Sequence, residues 1–295
     1  VSILIDETTQ VLVQGITGRI ARVQTRYMIE DGTKVVAGVT PGKGGERVEG
    51  IPVFDTVEEA QAAFRVDAAV LFVPVNAALD SVIESINANI KLIVLVTEHI
   101  PVHDVMIMRA LSRKNDAILI GPTTPGIISP GRCKVGILPA NMFSPGPVGI
   151  VSRSGTLSYE VAADLCAQGI GQSTVVGMGA DMVVGTNLSV LLKLFNGDEK
   201  TRVVVVVGEV GGGQEQEAAL YVEREMDKPV VAYIAGSSAP AGKRMGHAGA
   251  IVEGQSGSAQ SKVEALRAAG AHVALKLHEI PLIVKRLLET NIWST

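Results

Sequence analysis

The chain has 295 residues, 47% of them hydrophobic and 19% charged, with a formal charge of −4 and two cysteines. That length is long for one core and suits two domains of roughly 150 residues each, and the composition excludes a disordered chain. The mildly acidic balance excludes a general nucleic-acid binder, which needs a strong cationic field.

Cys133 and Cys166 are too few for a disulfide framework and form no metal-type pair, which points to a reducing cytoplasm. The start, Val1-Ser2-Ile3-Leu4-Ile5-Asp6, is too short and too soon acidic for a secretory signal. Apolar runs such as residues 203–207 stop far short of the roughly 20 residues a membrane helix needs. A soluble, cytoplasmic protein with neither a membrane nor a nucleic-acid partner is expected.

In chain order, residues 11–13, 34–39, 68–73, 92–96 and 117–120 read as five strands. Helical patterns at 19–30, 57–64, 77–89 and 102–114 lie between them. Strands that are apolar throughout are buried on both faces, as in a parallel sheet covered by helices. Their alternation with helices predicts right-handed crossovers and an open α/β sheet. Residues 121–147 are dense in turn formers. The domain junction is placed at 126–146, which leaves domains of 1–125 and 147–295. A second α/β series follows, with strands at 148–151, 173–176, 203–207, 230–234 and 272–274. Its helices fall at 156–168, 188–196, 215–226, 259–268 and 278–289, and the last six residues read as a loose tail.

The first strand runs into Gln14-Gly15-Ile16-Thr17-Gly18, with a helix starting near Arg19. Glycines there let backbone N–H groups approach a phosphate, and the helix dipole favours its charge. An NAD site would want an acid at the end of the second strand. This chain has Thr40-Pro41-Gly42-Lys43-Gly44-Gly45 instead, a cation in a loop, which favours an adenosine ligand with extra phosphate. Thr97-Glu98 after the fourth strand and Gly121-Pro122-Thr123-Thr124-Pro125-Gly126 after the fifth are expected at the same crevice. His99 and His103 lack a third partner for a metal, and Pro101 interrupts any helix between them. No metal site is expected.

In the second half, Ser152-Arg153-Ser154-Gly155-Thr156-Leu157-Ser158-Tyr159 reads as an anion cradle at a helix start, or as a plain Ser/Thr N-cap. Gly208-Glu209-Val210-Gly211-Gly212-Gly213 puts a carboxylate at the end of a buried strand, where a histidine-orienting acid is expected. Arg244-Met245-Gly246-His247-Ala248-Gly249-Ala250 presents one imidazole in backbone stripped of bulk, just after Pro240, Gly242 and Lys243. Such a histidine is suited to nucleophilic attack on phosphorus or carbonyl carbon once a carboxylate holds its other nitrogen.

Three of these segments, Gly246-His247-Ala248-Gly249-Ala250, Ser152 to Leu157 and Gly208-Glu209, together resemble the α subunits of succinate–CoA ligases. The similarity runs from Ser2 to about Leu288, nearly the whole chain. The resemblance implies a Rossmann-like CoA-binding domain followed by a flavodoxin-like ligase domain. It also implies an ATP-grasp β subunit, in an αβ or α₂β₂ assembly, that binds ATP or GTP and Mg²⁺. In such enzymes the nucleotide drives formation of an acyl phosphate, the phosphoryl group passes through the histidine matching His247, and CoA attacks the acyl group.

By resemblance Glu209 orients that histidine, Ser154, Gly155 and Thr156 open the helix facing the phosphoryl group, and Tyr159 lies near the carboxylic acid substrate. Thr17, Gly18, Arg19, Ile20, Lys43, Val96, Thr97 and Glu98 fall on the CoA site. Departures cluster in the acceptor regions. Arg19-Ile20-Ala21-Arg22 replaces a small or polar residue followed by Gln-Gly, and its two arginines are suited to CoA phosphates. Thr123-Thr124 replaces Asn-Cys, Ala180 and Met182 replace the Gly and Pro that flank Asp181, and His99 replaces Gly. The resemblance favours succinate as the acid, with citrate or malate as alternatives, since Thr at that Asn position is similar to citrate-handling relatives. A CoA-binding regulatory protein without turnover is the reading from another class, and an NAD-dependent dehydrogenase is a fourth.

Overall fold

The computed structural model describes residues 2–240, 242, 246–252 and 257–290. They fall into two compact units, Leu4–Leu138 with Val183–Thr186, and essentially the remainder, Pro139–Met182 and Asn187–Thr295.

The first unit follows the predicted alternation. β1 (Gln10–Gln14), α1 (Arg19–Glu30), β2 (Lys34–Val39), β3 (Arg47–Val48), β4 (Ile51–Phe54), α2 (Val57–Ala63) and β5 (Ala68–Leu71) come first. Then come α3 (Val75–Asn87), β6 (Leu92–Leu95), α4 (Val102–Lys114) and β7 (Ile118–Ile120). Six strands run parallel in the order β4-β2-β1-β5-β6-β7, and β3 pairs antiparallel with β4. This is the Rossmann-like order, which reverses direction between β1 and β5. Leu12, Ala69, Leu71, Ile93 and Leu95 are wholly buried, as strands covered on both faces require. Gln14 is the polar exception at the end of β1. Its amide donates to Ser81 O at 3.0 Å and Ser85 Oγ at 2.8 Å, so the strand end is tied to α3 without an unmet donor.

The turn-rich stretch holds a hairpin that the sequence reading did not name, β8 (Gly126–Ser129) and β9 (Cys133–Gly136). It is fastened to the end of α1, where Thr33 Oγ1 donates to Lys134 O at 2.8 Å and the buried Lys134 Nζ sits 2.5 Å from Asp31 Oδ2.

The second unit contains β10 (Pro145–Ser152), α5 (Gly155–Ala167), β11 (Gln172–Gly177), α6 (Leu188–Gly197) and β12 (Val203–Glu209). It continues with α7 (Gln214–Glu225), β13 (Val230–Ala235), α8 (Ala259–Ala268), β14 (His272–Val273) and α9 (Ile280–Thr290). These five strands are parallel in the order β14-β13-β12-β10-β11. The second strand of the unit lies outside the first and the rest follow on the other side, which is the flavodoxin-like order. Its switch point lies between β10 and β12, so the loops leaving those two strands flank a crevice at their carboxyl ends. Among the described residues no helix is long and apolar enough to cross a membrane.

Candidate functional site

Both loops at that switch point carry the chemistry singled out above. Glu209 is the last residue of β12 and is buried, and its Oε2 lies 2.6 Å from Nδ1 of the half-buried His247. A carboxylate at Nδ1 selects the Nδ1–H tautomer and places the ring's lone pair on Nε2, the geometry a nucleophilic imidazole needs. The segment carrying His247 is keyed to the strand exits by close backbone packing. Gly249 N–H donates to Ala180 O at 3.2 Å, and Ala250 N–H donates to His247 O at 3.2 Å. A side chain at Gly249 would stand 2.9 Å from both Arg153 Nη2 and Asp181 O. Lys243, Arg244 and Met245 lie outside the described residues.

The other loop turns from β10 into α5. Ser154 is the N-cap, and its Oγ accepts from Leu157 N–H at 3.3 Å, so the plain N-cap expectation is met. Ser152 Oγ fixes the turn by donating to Ser154 O at 2.7 Å. Gly155 and Thr156 open the helix, and first-turn amides have no acceptor within their own helix. Thr156 is exposed, and Tyr159 is half-buried one turn further on.

Behind Glu209 lies a chain of buried charges. Arg153 Nη2 is 3.3 Å from Glu209 Oε1, an ion-pair distance without hydrogen-bond alignment, and Nη1 is 3.4 Å from Glu215 Oε1. Nη1 also donates to Gly211 O at 3.1 Å. Lys262, wholly buried, bonds Glu215 Oε2 and donates to Glu209 O at 2.8 Å and Gly211 O at 2.6 Å. Burial pulls the Lys262 ammonium below the usual lysine range, and the neighbouring Glu215 carboxylate opposes this.

In the first unit, Gly18 is the N-cap of α1 and offers no side-chain cap, so the amides at the helix start are open to an anion. Thr17 Oγ1 donates to Thr40 Oγ1 at 3.2 Å, joining the loops after β1 and β2. Arg19 and Ile20 are exposed at the helix start, while Arg22 Nε donates back to Thr17 O at 3.1 Å. Part of that arginine's donor set thus holds the loop in shape. Lys43 is exposed and sits 3.1 Å from Glu46. Its loop is pinned by Asp55 Oδ1, which accepts from Lys43 N–H and Gly44 N–H at 2.9 Å each. Thr97 Oγ1 donates to Val73 O at 2.6 Å, and Val96 N–H to Leu71 O at 3.2 Å, which links the exits of β5 and β6. Glu98 is exposed, with its carboxylate 3.9 Å from His99. Among the described residues no three His, Cys, Asp or Glu side chains gather as a metal set.

A CoA binding domain family matches residues 6–99 and a CoA-ligase family matches residues 151–272. The chain is 52% identical to succinate–CoA ligase [ADP-forming] subunit alpha 1 of Archaeoglobus fulgidus, over 98% of this chain and 99% of that one. It is 50% identical to the corresponding subunit of Aquifex aeolicus, over 98% and 95%. The chain belongs to the succinate–CoA ligase α-subunit family. Among solved structures, ATP citrate lyase of Methanosaeta concilii, in complex with (3S)-citryl-CoA, superimposes with a TM-score of 0.90 at 25% identity. That likeness covers 98% of this chain and 51% of the lyase chain.

Three side chains of this succinate–CoA ligase family member had no role in the sequence reading: Glu215, Lys262 and Asp55. Arg153 belongs to the Ser152–Tyr159 turn, where residue type alone suggests no separate task. A signal for two of them was present. Glu215 stands on the face of α7 that buries Ala218, Ala219 and Val222, and Lys262 on the face of α8 that buries Ala259 and Leu266. A charge inside an apolar stripe marks a buried ion pair, because burial without a partner costs several kcal/mol.

Proposed function

We propose that this chain is the α subunit of a cytoplasmic, nucleotide-dependent succinate–CoA ligase in which His247 carries the phosphoryl group. The observation that carries this reading is the 2.6 Å contact between His247 Nδ1 and the buried Glu209 carboxylate at the sheet's switch point. With Nδ1–H donated to Glu209, the Nε2 lone pair attacks the γ-phosphorus and the nucleoside diphosphate leaves with the P–O electrons. Glu209 offsets the positive charge that the ring gains. The amides of Gly155 and Thr156, with the Ser154 turn, supply donors for the phosphoryl oxygens. A carboxylate oxygen of the acid then takes the phosphoryl group from Nε2. The CoA thiol attacks the resulting acyl carbon, losing its proton as phosphate leaves.

ATP or GTP with Mg²⁺ belongs on an ATP-grasp β subunit in an αβ or α₂β₂ assembly, and the ADP-forming relatives favour ATP. CoA is assigned to the first unit, with its phosphates at Thr17, Gly18, Arg19 and Ile20, Lys43 beside them, and Val96, Thr97 and Glu98 across the crevice. Tyr159 is assigned to the acid.

The test is incubation of the chain with its partner subunit and radiolabelled ATP, followed by proteolysis. Acid-labile, base-stable label is expected on the peptide containing His247, and label confined to any other residue removes the reading. Lys43→Ala is expected to raise the KM for CoA about threefold to tenfold with kcat unchanged, since an exposed lysine acts on a phosphate as a screened point charge. Steady-state kinetics check this, and a fall in kcat alone contradicts it. Citrate in place of succinate is the second reading, favoured by the likeness to ATP citrate lyase. Rates with succinate, citrate and malate separate the two.

A further inference from the structure

We infer that Lys262 and Glu215 are positioning residues for phosphoryl transfer, keeping Arg153 divided between two carboxylates so that Glu209 stays aimed at His247. The inference rests on His247 as phosphoryl carrier and extends it to groups that touch neither nucleotide, acid nor CoA.

The argument is one of charge count and geometry. Two carboxylates, Glu209 and Glu215, and two cations, Arg153 and Lys262, are each at most 5% exposed. Taken alone, these four side chains carry no net charge. Glu209 is held on three sides. Its N–H donates to Glu215 Oε1 at 3.2 Å, its carbonyl accepts from Lys262 at 2.8 Å, and its Oε1 faces Arg153 at 3.3 Å. Oε2 is left to meet Nδ1.

Arg153 makes this arrangement sensitive to Lys262. Its Nε has no hydrogen bond among the described residues, and its two amino groups reach towards different carboxylates. A guanidinium spread in this way is held by the balance of the anions around it. Without the Lys262 charge, Arg153 alone faces two buried carboxylates. The unscreened Glu215 draws the fork away from Glu209. A rotated Glu209 no longer fixes the tautomer of His247.

The prediction is a rescue pattern. Lys262→Gln keeps an amide donor on a shorter side chain but removes the charge, and Lys262→Met removes both. Each variant, assembled with the partner subunit, is expected to label His247 from radiolabelled ATP about tenfold more slowly or worse, with the KM for CoA unchanged. Lys262→Met combined with Glu215→Gln leaves Arg153 and Glu209 as a lone neutral pair, and is expected to recover to within about threefold of the parent rate. A purely structural role would also be relieved in the double variant, but it would leave the ¹⁵N tautomer signal of the His247 imidazole unchanged in Lys262→Met, whereas loss of the Nδ1–H signal there is expected. Parent rates in both Lys262 variants, or a double variant no faster than Lys262→Met, overturn the inference while leaving His247 in place. Label that maps away from His247 in the unmodified complex overturns the parent reading instead.

Discussion

Glu209→Gln is expected to slow phosphorylation of His247 about 10³- to 10⁴-fold, with the KM for CoA unmoved. The carboxylate accepts only, and at 2.6 Å from Nδ1 it leaves the ring one useful tautomer, with the lone pair on Nε2. Glutamine has nearly the same shape but can turn its NH₂ towards Nδ1. Donating there moves the ring proton to Nε2 and removes the nucleophile. It also removes the anion that offsets the ring's charge when phosphorus is bound. Arg153 Nη2 loses its charged partner at 3.3 Å in a region closed to water, so stability is expected to fall by about 3 kcal/mol as well. Rapid-quench labelling gives the rate, and ¹⁵N spectra of the imidazole give the tautomer. A rate within tenfold of the parent, or an unchanged Nδ1–H signal, would contradict the role assigned to Glu209.

Much of the fold was legible because its signals are local. Helices 19–30, 102–114 and 259–268 were read with the bounds they have, and ten of the eleven parallel strands among the described residues fell where continuous apolar runs predict buried strands. β3 and β4 were not read. One has two residues, and the other, Ile51–Phe54, contains a proline that argues against a strand. The β8–β9 hairpin was hidden for a related reason. Its strands are four residues each and begin and end on Gly126 and Gly136, so their glycines look like linker composition.

The same division holds for the site. His247, Glu209 and the Ser154 turn announce themselves through residue type beside glycine-rich backbone. Glu215 and Lys262 are 47 positions apart, and within a mixed-polarity helix each passes for a solvated charge until the buried face is drawn. Asp55 escapes because its task, accepting two N–H groups from the Lys43 loop, depends on strand pairing of β2 with β4.

Gly211→Ala and Gly212→Ala form a pair of neighbouring substitutions with very different expected results. Both glycines have positive φ, +89° and +63°, so each alanine carries a conformational cost of about 1 kcal/mol. What separates them is space. A Cβ at Gly212 meets nothing within 4 Å, whereas at Gly211 it would stand 2.0 Å from Gly249 O, 2.8 Å from Ile251 N and 2.9 Å from Ile251 O. Backbone at that distance has no rotamer by which to yield. The segment 249–251 must therefore move, and His247 is two residues away from it. Gly211 also supplies the carbonyl that both Arg153 and Lys262 use, and its N–H donates to Gly257 O at 2.8 Å. Displacement thus disturbs the imidazole and its carboxylate from both sides. Gly211→Ala is expected to slow phosphohistidine formation at least about 100-fold, as a misplacement of about 1 Å does at a reacting centre. Gly212→Ala is expected to stay within about threefold of the parent, losing only about 1 kcal/mol of stability. Labelling rates and thermal melts on the two variants check this together. Equal loss in both would mean that backbone strain, rather than the close packing of residues 211 and 249, sets the position of the histidine. Equal activity in both would mean that the 2.6 Å contact survives movement of the loop, and that the imidazole is held by Glu209 alone.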